Sequence, residues 1–102
     1  MLGIDLGGSG FRTAIFETKT GEIMTDLLQF EHGELTEPTE IIQRMCNAIH
    51  QLGWKGPIGL GFPGAVRGKE ILTAPNIGDS WLESNLIQRL EACCGGTVTL
   101  VN

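Results

Sequence analysis

The segment Asp5-Leu6-Gly7-Gly8-Ser9-Gly10-Phe11-Arg12 gathers a carboxylate, three glycines, a hydroxyl and a guanidinium in one short stretch. Glycines lacking Cβ let backbone N–H groups approach an anion closely. Asp5 is suited to hold Mg²⁺ directly or through water. Ser9 can donate to a phosphate oxygen, and the planar fork of Arg12 can neutralise it. The glycines are too closely spaced for a Walker loop or a dinucleotide fingerprint, and a strand follows them instead of a helix. On these residues alone two readings stay open: a phosphate loop, or a glycine-rich hairpin with incidental surface charge.

Two further segments carry polar chemistry. Gly59-Leu60-Gly61-Phe62-Pro63-Gly64 ends a short apolar run in a turn, either the wall of a small-molecule pocket or a plain strand-to-hairpin turn. Ala74-Pro75-Asn76-Ile77-Gly78-Asp79-Ser80-Trp81 offers Asn76, whose donor and acceptor match vicinal sugar hydroxyls. Asp79 and Ser80 read as helix-start residues and Trp81 as a packing anchor. His32 and His50 have no partner pattern and receive no role. Cys46, Cys93 and Cys94 show no zinc spacing and are expected as buried or half-buried thiols in a reducing compartment.

The elements that must position these groups follow from periodicity. Leu2–Leu6 reads as a buried strand, Phe11–Glu17 as a second and Glu22–Phe30 as a third, with a turn at Thr18–Gly21. Residues 41, 42, 45, 48, 49 and 52 recur at helical spacing. Thr36 offers that helix a cap, Pro38 suits its first turn and Gly53 stops it. Pro57–Phe62 is a strand, Arg67-Gly68-Lys69 a hairpin tip, and Ser80–Glu83 a capping box. A stripe of Leu82, Leu86, Leu90 and Cys93 then predicts a second helix, and Thr97–Val101 a last strand. The order is β-β-β-α-β-(hairpin)-α-β. The first three strands are expected antiparallel, the last two joined in parallel by helical crossovers.

Composition bounds the rest. The 102 residues form one domain, 1–102, at most. Hydrophobic residues at 41% and charged residues at 19% make the chain globular and exclude wholesale disorder. With 12 acidic against 7 basic residues, nucleic acid is not an expected partner. No apolar run reaches the roughly 18 residues of a transmembrane helix, and Met1-Leu2-Gly3-Ile4-Asp5, with neither a basic n-region nor an apolar stretch, is not expected to be a signal peptide. A cytoplasmic protein with no membrane association is expected. The 15 glycines exceed the usual share of about 7% and gather in Gly7-Gly8-Ser9-Gly10, in Gly59–Gly64 and in Gly95-Gly96.

Together the segments resemble the ROK family of sugar kinases, regulators and related proteins. Asp5-Leu6-Gly7-Gly8-Ser9 is similar to that family's first phosphate loop, Gly61-Phe62-Pro63-Gly64 to its sugar segment, and Pro75-Asn76-Ile77 with Trp81 to its sugar-binding loop. Within the family, Gly53–Gly59, Phe62–Gly64, Ala74–Ile77 and Ser80-Trp81 look most similar to polyphosphate glucokinases. The resemblance runs from end to end. It implies an α/β, RNase H-like (actin-like ATPase/sugar kinase) domain with a mixed five-stranded sheet of order 3-2-1-4-5 and helices on both faces.

The resemblance also implies phosphoryl transfer from polyphosphate or ATP, with Mg²⁺, to the 6-hydroxyl of glucose or a related hexose. Carried over by position, Asp5 serves the metal and phosphate, Gly7, Gly8, Ser9, Gly10 and Arg12 bind phosphate, and Gly64, Asn76 and Asn102 bind sugar. The family has lysine where this chain has Arg12. It follows the asparagine matching Asn102 with its catalytic aspartate, so no catalytic residue is expected within the chain. The family's later sugar ligands, zinc site and second domain are likewise expected to lie outside these 102 residues. The expectation is the N-terminal domain of a kinase that is a homodimer at full length, inactive as this chain. Two alternatives are a sugar-binding domain of a ROK-type transcription regulator and a non-enzymatic actin-like phosphate-binding domain.

Overall fold

The computed structural model describes residues 1–31, 37–75 and 77–101. Strand β1 (Leu2–Leu6) pairs antiparallel with β2 (Gly10–Ile15), which pairs antiparallel with β3 (Leu28–Glu31). Helix α1 (Pro38–Gln51) leads to β4 (Ile58–Gly61), which lies parallel to β1. A two-stranded hairpin follows, β5 (Val66–Arg67) and β6 (Glu70–Ile71). A 3-10 turn (Asp79–Glu83) and helix α2 (Leu86–Cys94) then lead to β7 (Val98–Val101), parallel to β4. The main sheet has the order β3-β2-β1-β4-β7. Because β5 and β6 form their own hairpin, this is the expected 3-2-1-4-5 order, with β7 as the fifth strand.

Strand alternation builds the core. Leu2, Ile4, Leu6, Ile58, Leu60, Val98 and Leu100 point to one face, where they join Ile41, Ile42, Met45 and Ile49 of α1 and Leu86, Ile87 and Leu90 of α2. The opposite face carries Gly3, Asp5, Gly59, Gly61, Thr99 and Val101, and none of these is fully buried. Both described helices therefore lie on one face, whereas helices on both were expected. The reason is topological. From β3 to β4 and from β4 to β7 the chain moves in the same direction across the sheet, and crossovers of one hand then fall on one side. The bare face carries an apolar groove of about 290 Å³ lined by Gly3, Ala14, Phe16, Ile23, Leu27 and Gly59 among others.

Three local expectations are corrected. The third strand starts at Leu28, not Glu22. The turn at 18–21 forms, with Gly21 at φ 75°, and Phe16 bridges Ile23. The Thr25 hydroxyl then accepts the Ile15 N–H at 3.0 Å, which takes the place of a ladder bond and lets the chain leave the sheet until Leu28. The capping box does not form. Trp81 is drawn into the core, the Ser84 hydroxyl donates to the Trp81 carbonyl at 2.9 Å, and Asn85 takes a left-handed φ of 56°. That sequence closes a 3-10 turn and delays the helix to Leu86. Its buried stripe is Leu86, Ile87, Leu90 and Cys94, while Leu82 is exposed.

The cysteines are the third correction. Cys46 of α1 and Cys93 of α2 form a disulfide across a Cα–Cα distance of 5.7 Å, and Cys94 is a buried free thiol. The first helix otherwise matches expectation. Pro38 occupies its first turn, and Gly53 at φ 66° follows its end. Its N-cap position is Glu37, which makes no side-chain cap bond; Thr36 and His32 lie outside the described residues. His50 is exposed, and no described helix is long and apolar enough to cross a membrane.

Candidate functional site

The parallel strands β1, β4 and β7 end together at one edge of the sheet. Their register sets Asp5 beside Gly61 and Gly61 beside Val101 in one row. Ligands of open α/β sheets gather at such carboxyl ends. The Gly7–Gly10 loop rises from β1 there, Phe62-Pro63-Gly64 leaves β4 there, and the end of β7 completes the row.

The Gly7–Gly10 loop is a tight hairpin closed by the Gly7 N–H donating to the Gly10 carbonyl at 2.8 Å. Gly7 therefore spends its own N–H inside the loop. Among the described residues no group accepts the N–H of Gly8 or Ser9, and the Ser9 hydroxyl has no partner. Those three donors are the ones available to an anion. Gly10 is glycine for a different reason. A Cβ there would run into the carbonyl oxygen of Phe30 on β3, so packing of the sheet demands it. A Cβ on Gly7 would meet only the Gly10 oxygen, at 3.6 Å, which is ordinary contact.

Hairpin register also puts Asp5 opposite Arg12. The Arg12 guanidinium donates to Asp5 Oδ2 at 2.7 Å, with side chains 56% and 62% exposed. A two-residue hairpin tip at Gly8-Ser9, closed by the Gly7–Gly10 bond, sets that pairing arithmetically. Beside the pair opens a cleft of about 170 Å³, lined by Asp5, Gly7, Ser9, Arg12, Gln29 and Glu31 among others. Gln29 and Glu31 were not foreseen, because β3 was expected to end at Phe30 and its register depends on the irregular 24–27 excursion. With two carboxylates and one guanidinium around it, the cleft suits a polyanion best when a divalent cation accompanies it. Asp5 Oδ1 is free of hydrogen bonds among the described residues and is a hard oxygen donor. One carboxylate is what Mg²⁺ takes when water and phosphate supply its other ligands. No described cluster of three His, Cys, Asp or Glu side chains would hold a metal by itself.

Of the sugar-side candidates, Gly64 lies just past the end of β4. The Gly64 N–H donates to the Phe62 carbonyl at 2.9 Å around Pro63, and the Ala65 N–H donates to the Thr73 hydroxyl at 2.9 Å. A Cβ on Gly64 would collide with the Thr73 carbonyl, so the base of the hairpin requires glycine here. Asn76 and Asn102 lie outside the described residues. Trp81 is the expected packing anchor: it is 1% exposed, edge-on to Phe62, and its indole N–H has no described acceptor. Asp79 opens the exposed 3-10 turn, as a helix-start residue would.

Sequence reasoning passed over Glu91. Its carboxylate accepts from Lys69 Nζ at 2.8 Å and from the Val98 N–H at 3.0 Å, tying the hairpin tip to α2 and to the start of β7. The bond from the Lys69 ammonium first, and the Val98 N–H second, hold its pKa below the ordinary carboxylate value.

No protein-family model matches the chain. A polyphosphate glucokinase of Mycobacterium tuberculosis is 32% identical over 101 residues, 98% of this chain. A polyphosphate glucokinase of Mycobacterium leprae is 29% identical over 83 residues, 81% of this chain. The chain is a relative of polyphosphate glucokinases. It spans 38% of the length of the first relative and 26% of the second, and the match lies in their N-terminal part. Among solved structures, the inorganic polyphosphate/ATP-glucomannokinase of Arthrobacter sp. strain KM superposes with a TM-score of 0.86 at 24% identity, covering all of this chain and 43% of that one. A ROK family glucokinase from Streptomyces griseus, solved with glucose and AMPPNP, gives a TM-score of 0.82 at 23% identity, covering all of this chain and 32% of that one. The structural neighbours are thus ROK-family sugar kinases, and the fold is the actin-like ATPase fold expected from the sequence.

Proposed function

We propose that this chain is the N-terminal phosphate- and sugar-binding part of a hexose phosphotransferase that converts glucose to glucose 6-phosphate with polyphosphate or ATP. The observation that carries the reading is the shared row of strand ends, which brings the Asp5–Arg12 loop of β1 and the Phe62-Pro63-Gly64 turn of β4 to one edge. The names of the relatives agree with it.

The chain's own residues divide the work. The N–H groups of Gly8 and Ser9 and the Ser9 hydroxyl cradle donor phosphate oxygens. Arg12 lends its guanidinium to the phosphoryl group, swinging from Asp5 or bridging from it; both side chains are exposed enough to move. Asp5 Oδ1 would hold Mg²⁺, which when bound supplies charge neutralisation at the phosphates. The Gly64 backbone, with Asn76 and Asn102, orients sugar hydroxyls. The carboxylates the described residues bring to the cleft are Asp5, paired with Arg12, and Glu31, on edge strand β3 and separated from β4 by β2 and β1, so neither is placed as the base for the attacking hydroxyl. Asp79, in the exposed 3-10 turn, is the nearest carboxylate in sequence to the sugar loop and lies on a different element from the row.

Phosphoryl transfer needs that base and a closed, dry cleft aligning donor and acceptor. The 102-residue chain alone is therefore inactive. The test is glucose 6-phosphate formation by the purified chain, with Mg²⁺ and either polyphosphate or ATP, beside a chain completed to the length of its relatives. Activity only in the longer protein is expected. Turnover by the 102 residues, abolished by Asp5→Ala or Asp79→Ala, would show that the catalytic carboxylate has been misplaced.

A further inference from the structure

We propose that Cys46 and Cys93 are a reversible dithiol–disulfide pair that, when oxidised, locks the last turn of α2 onto α1. The two residues are 47 positions apart on different helices, with a Cα–Cα distance of 5.7 Å, inside the range that a disulfide spans without moving the backbone. The helices do not need the bond in order to pack. Met45 and Ile49 of α1 and Leu86, Ile87 and Leu90 of α2 already share the core. Reduced, the pair remains as two small apolar side chains at a formed interface. Cys46 is buried and Cys93 half-buried, so a thiol or disulfide from solution reaches the pair from the Cys93 side.

What the bond restrains is a junction. The residue after Cys93 is Cys94, whose carbonyl accepts the Gly56 N–H at 2.9 Å. Gly96 follows, so close to the Gly56 backbone that a Cβ would collide with it. Gly56 precedes β4 and Gly96 precedes β7. The last turn of α2 thus abuts the entrances of both parallel strands, and a covalent tie there stiffens the starts of β4 and β7. The free thiol of Cys94 is buried, pointing toward the carbonyls of Gly96 and Glu91, and stays out of the exchange.

The chemistry is exchange with a small disulfide of the glutathione class. The Cys93 thiolate attacks it, forming a mixed disulfide and releasing one thiolate. The Cys46 thiolate then displaces the second. Two protein thiols become one disulfide, the small disulfide is reduced to two thiols, and the two protons lost by the protein thiols end on the two thiolates released.

The experiment equilibrates the folded 102-residue chain in glutathione buffers from fully reducing to fully oxidising, quenches with an alkylating reagent under denaturing conditions, and counts labels by mass spectrometry. Hydrogen exchange at 58–60 and 98–100 is read on the same samples. Expected are three labelled cysteines at the reducing end and one, Cys94, at the oxidising end, returning to three on re-reduction, with slower exchange of both strand starts in the oxidised form. Cys46→Ser and, separately, Cys93→Ser should each abolish the redox dependence of exchange while leaving the fold. Three labels at every ratio, a Cys93–Cys94 bridge, a bond that folded protein never gives up, or exchange indifferent to oxidation would each overturn the proposal.

Discussion

Replacing Arg12 with alanine separates what that side chain does for the fold from what it does for a ligand. In the fold it makes one ion pair, to Asp5 Oδ2 at 2.7 Å, between side chains that are both more than half exposed. Exposed pairs contribute about 0–1 kcal/mol. In a protein of the relatives' length 1 kcal/mol moves Tm by about 2–4 °C, which bounds the loss. At a phosphate the same guanidinium would make a charge-assisted hydrogen bond, about 1.5–3 kcal/mol, which is about a 10- to 100-fold change in binding. Arg12→Ala in a kinase completed to the length of its relatives should therefore raise the donor KM by about 10- to 100-fold. The sugar KM and Tm should barely move. Arg12→Lys keeps the charge and loses the fork, so it should fall between the two. The assay is steady-state kinetics with donor and sugar varied in turn, beside thermal unfolding. A sugar KM that moves while the donor KM does not would refute the assignment, and so would a Tm loss well beyond that bound.

Gly96→Ala drives a Cβ into the Gly56 backbone, where nothing flexible can yield, and should destabilise by about 1–3 kcal/mol or more in urea unfolding. Gly59→Ala meets nothing within 4 Å on the bare sheet face and should leave stability within about 0.5 kcal/mol. Glu91 has a folded pKa below the ordinary carboxylate value, held there by Lys69 and the Val98 N–H, so its contribution is present above the unfolded value and is lost as pH falls through the folded one. Glu91→Gln should accordingly lower the urea midpoint at pH 7 and narrow its gap to the parent in acid; an unchanged gap from pH 7 to pH 3 would show that Lys69 and Val98 do not hold that carboxylate.

The sequence by itself carried the element order and the loop that leaves the first strand, because each is written in local signals; the central place of that strand was implied by the family resemblance. Alternation marks Leu2, Ile4 and Leu6, helical spacing marks Ile41 to Ile49, and glycines mark the turns. The Asp5–Arg12 pairing was not read from the sequence: the glycine run Gly7–Gly10 admits more than one tip, and the bond that closes the hairpin at Gly8-Ser9 fixes which residues face each other. What only the tertiary structure decided depends on contacts distant in sequence. Gly10 and Gly64 read as ligand glycines, yet their missing Cβ atoms make room for the carbonyls of Phe30 and Thr73. Glu31 enters the cleft because a Thr25 hydroxyl ends a ladder early and resets β3. Trp81, pulled into the core, and Asn85, in a left-handed conformation, turn a plausible capping box into a 3-10 turn. Cys46 and Cys93, 47 residues apart, meet because two crossovers in one direction stack both helices on one face of the sheet. Spacing along a chain records neighbours within an element; which elements meet, and at what height, is decided only when they pack.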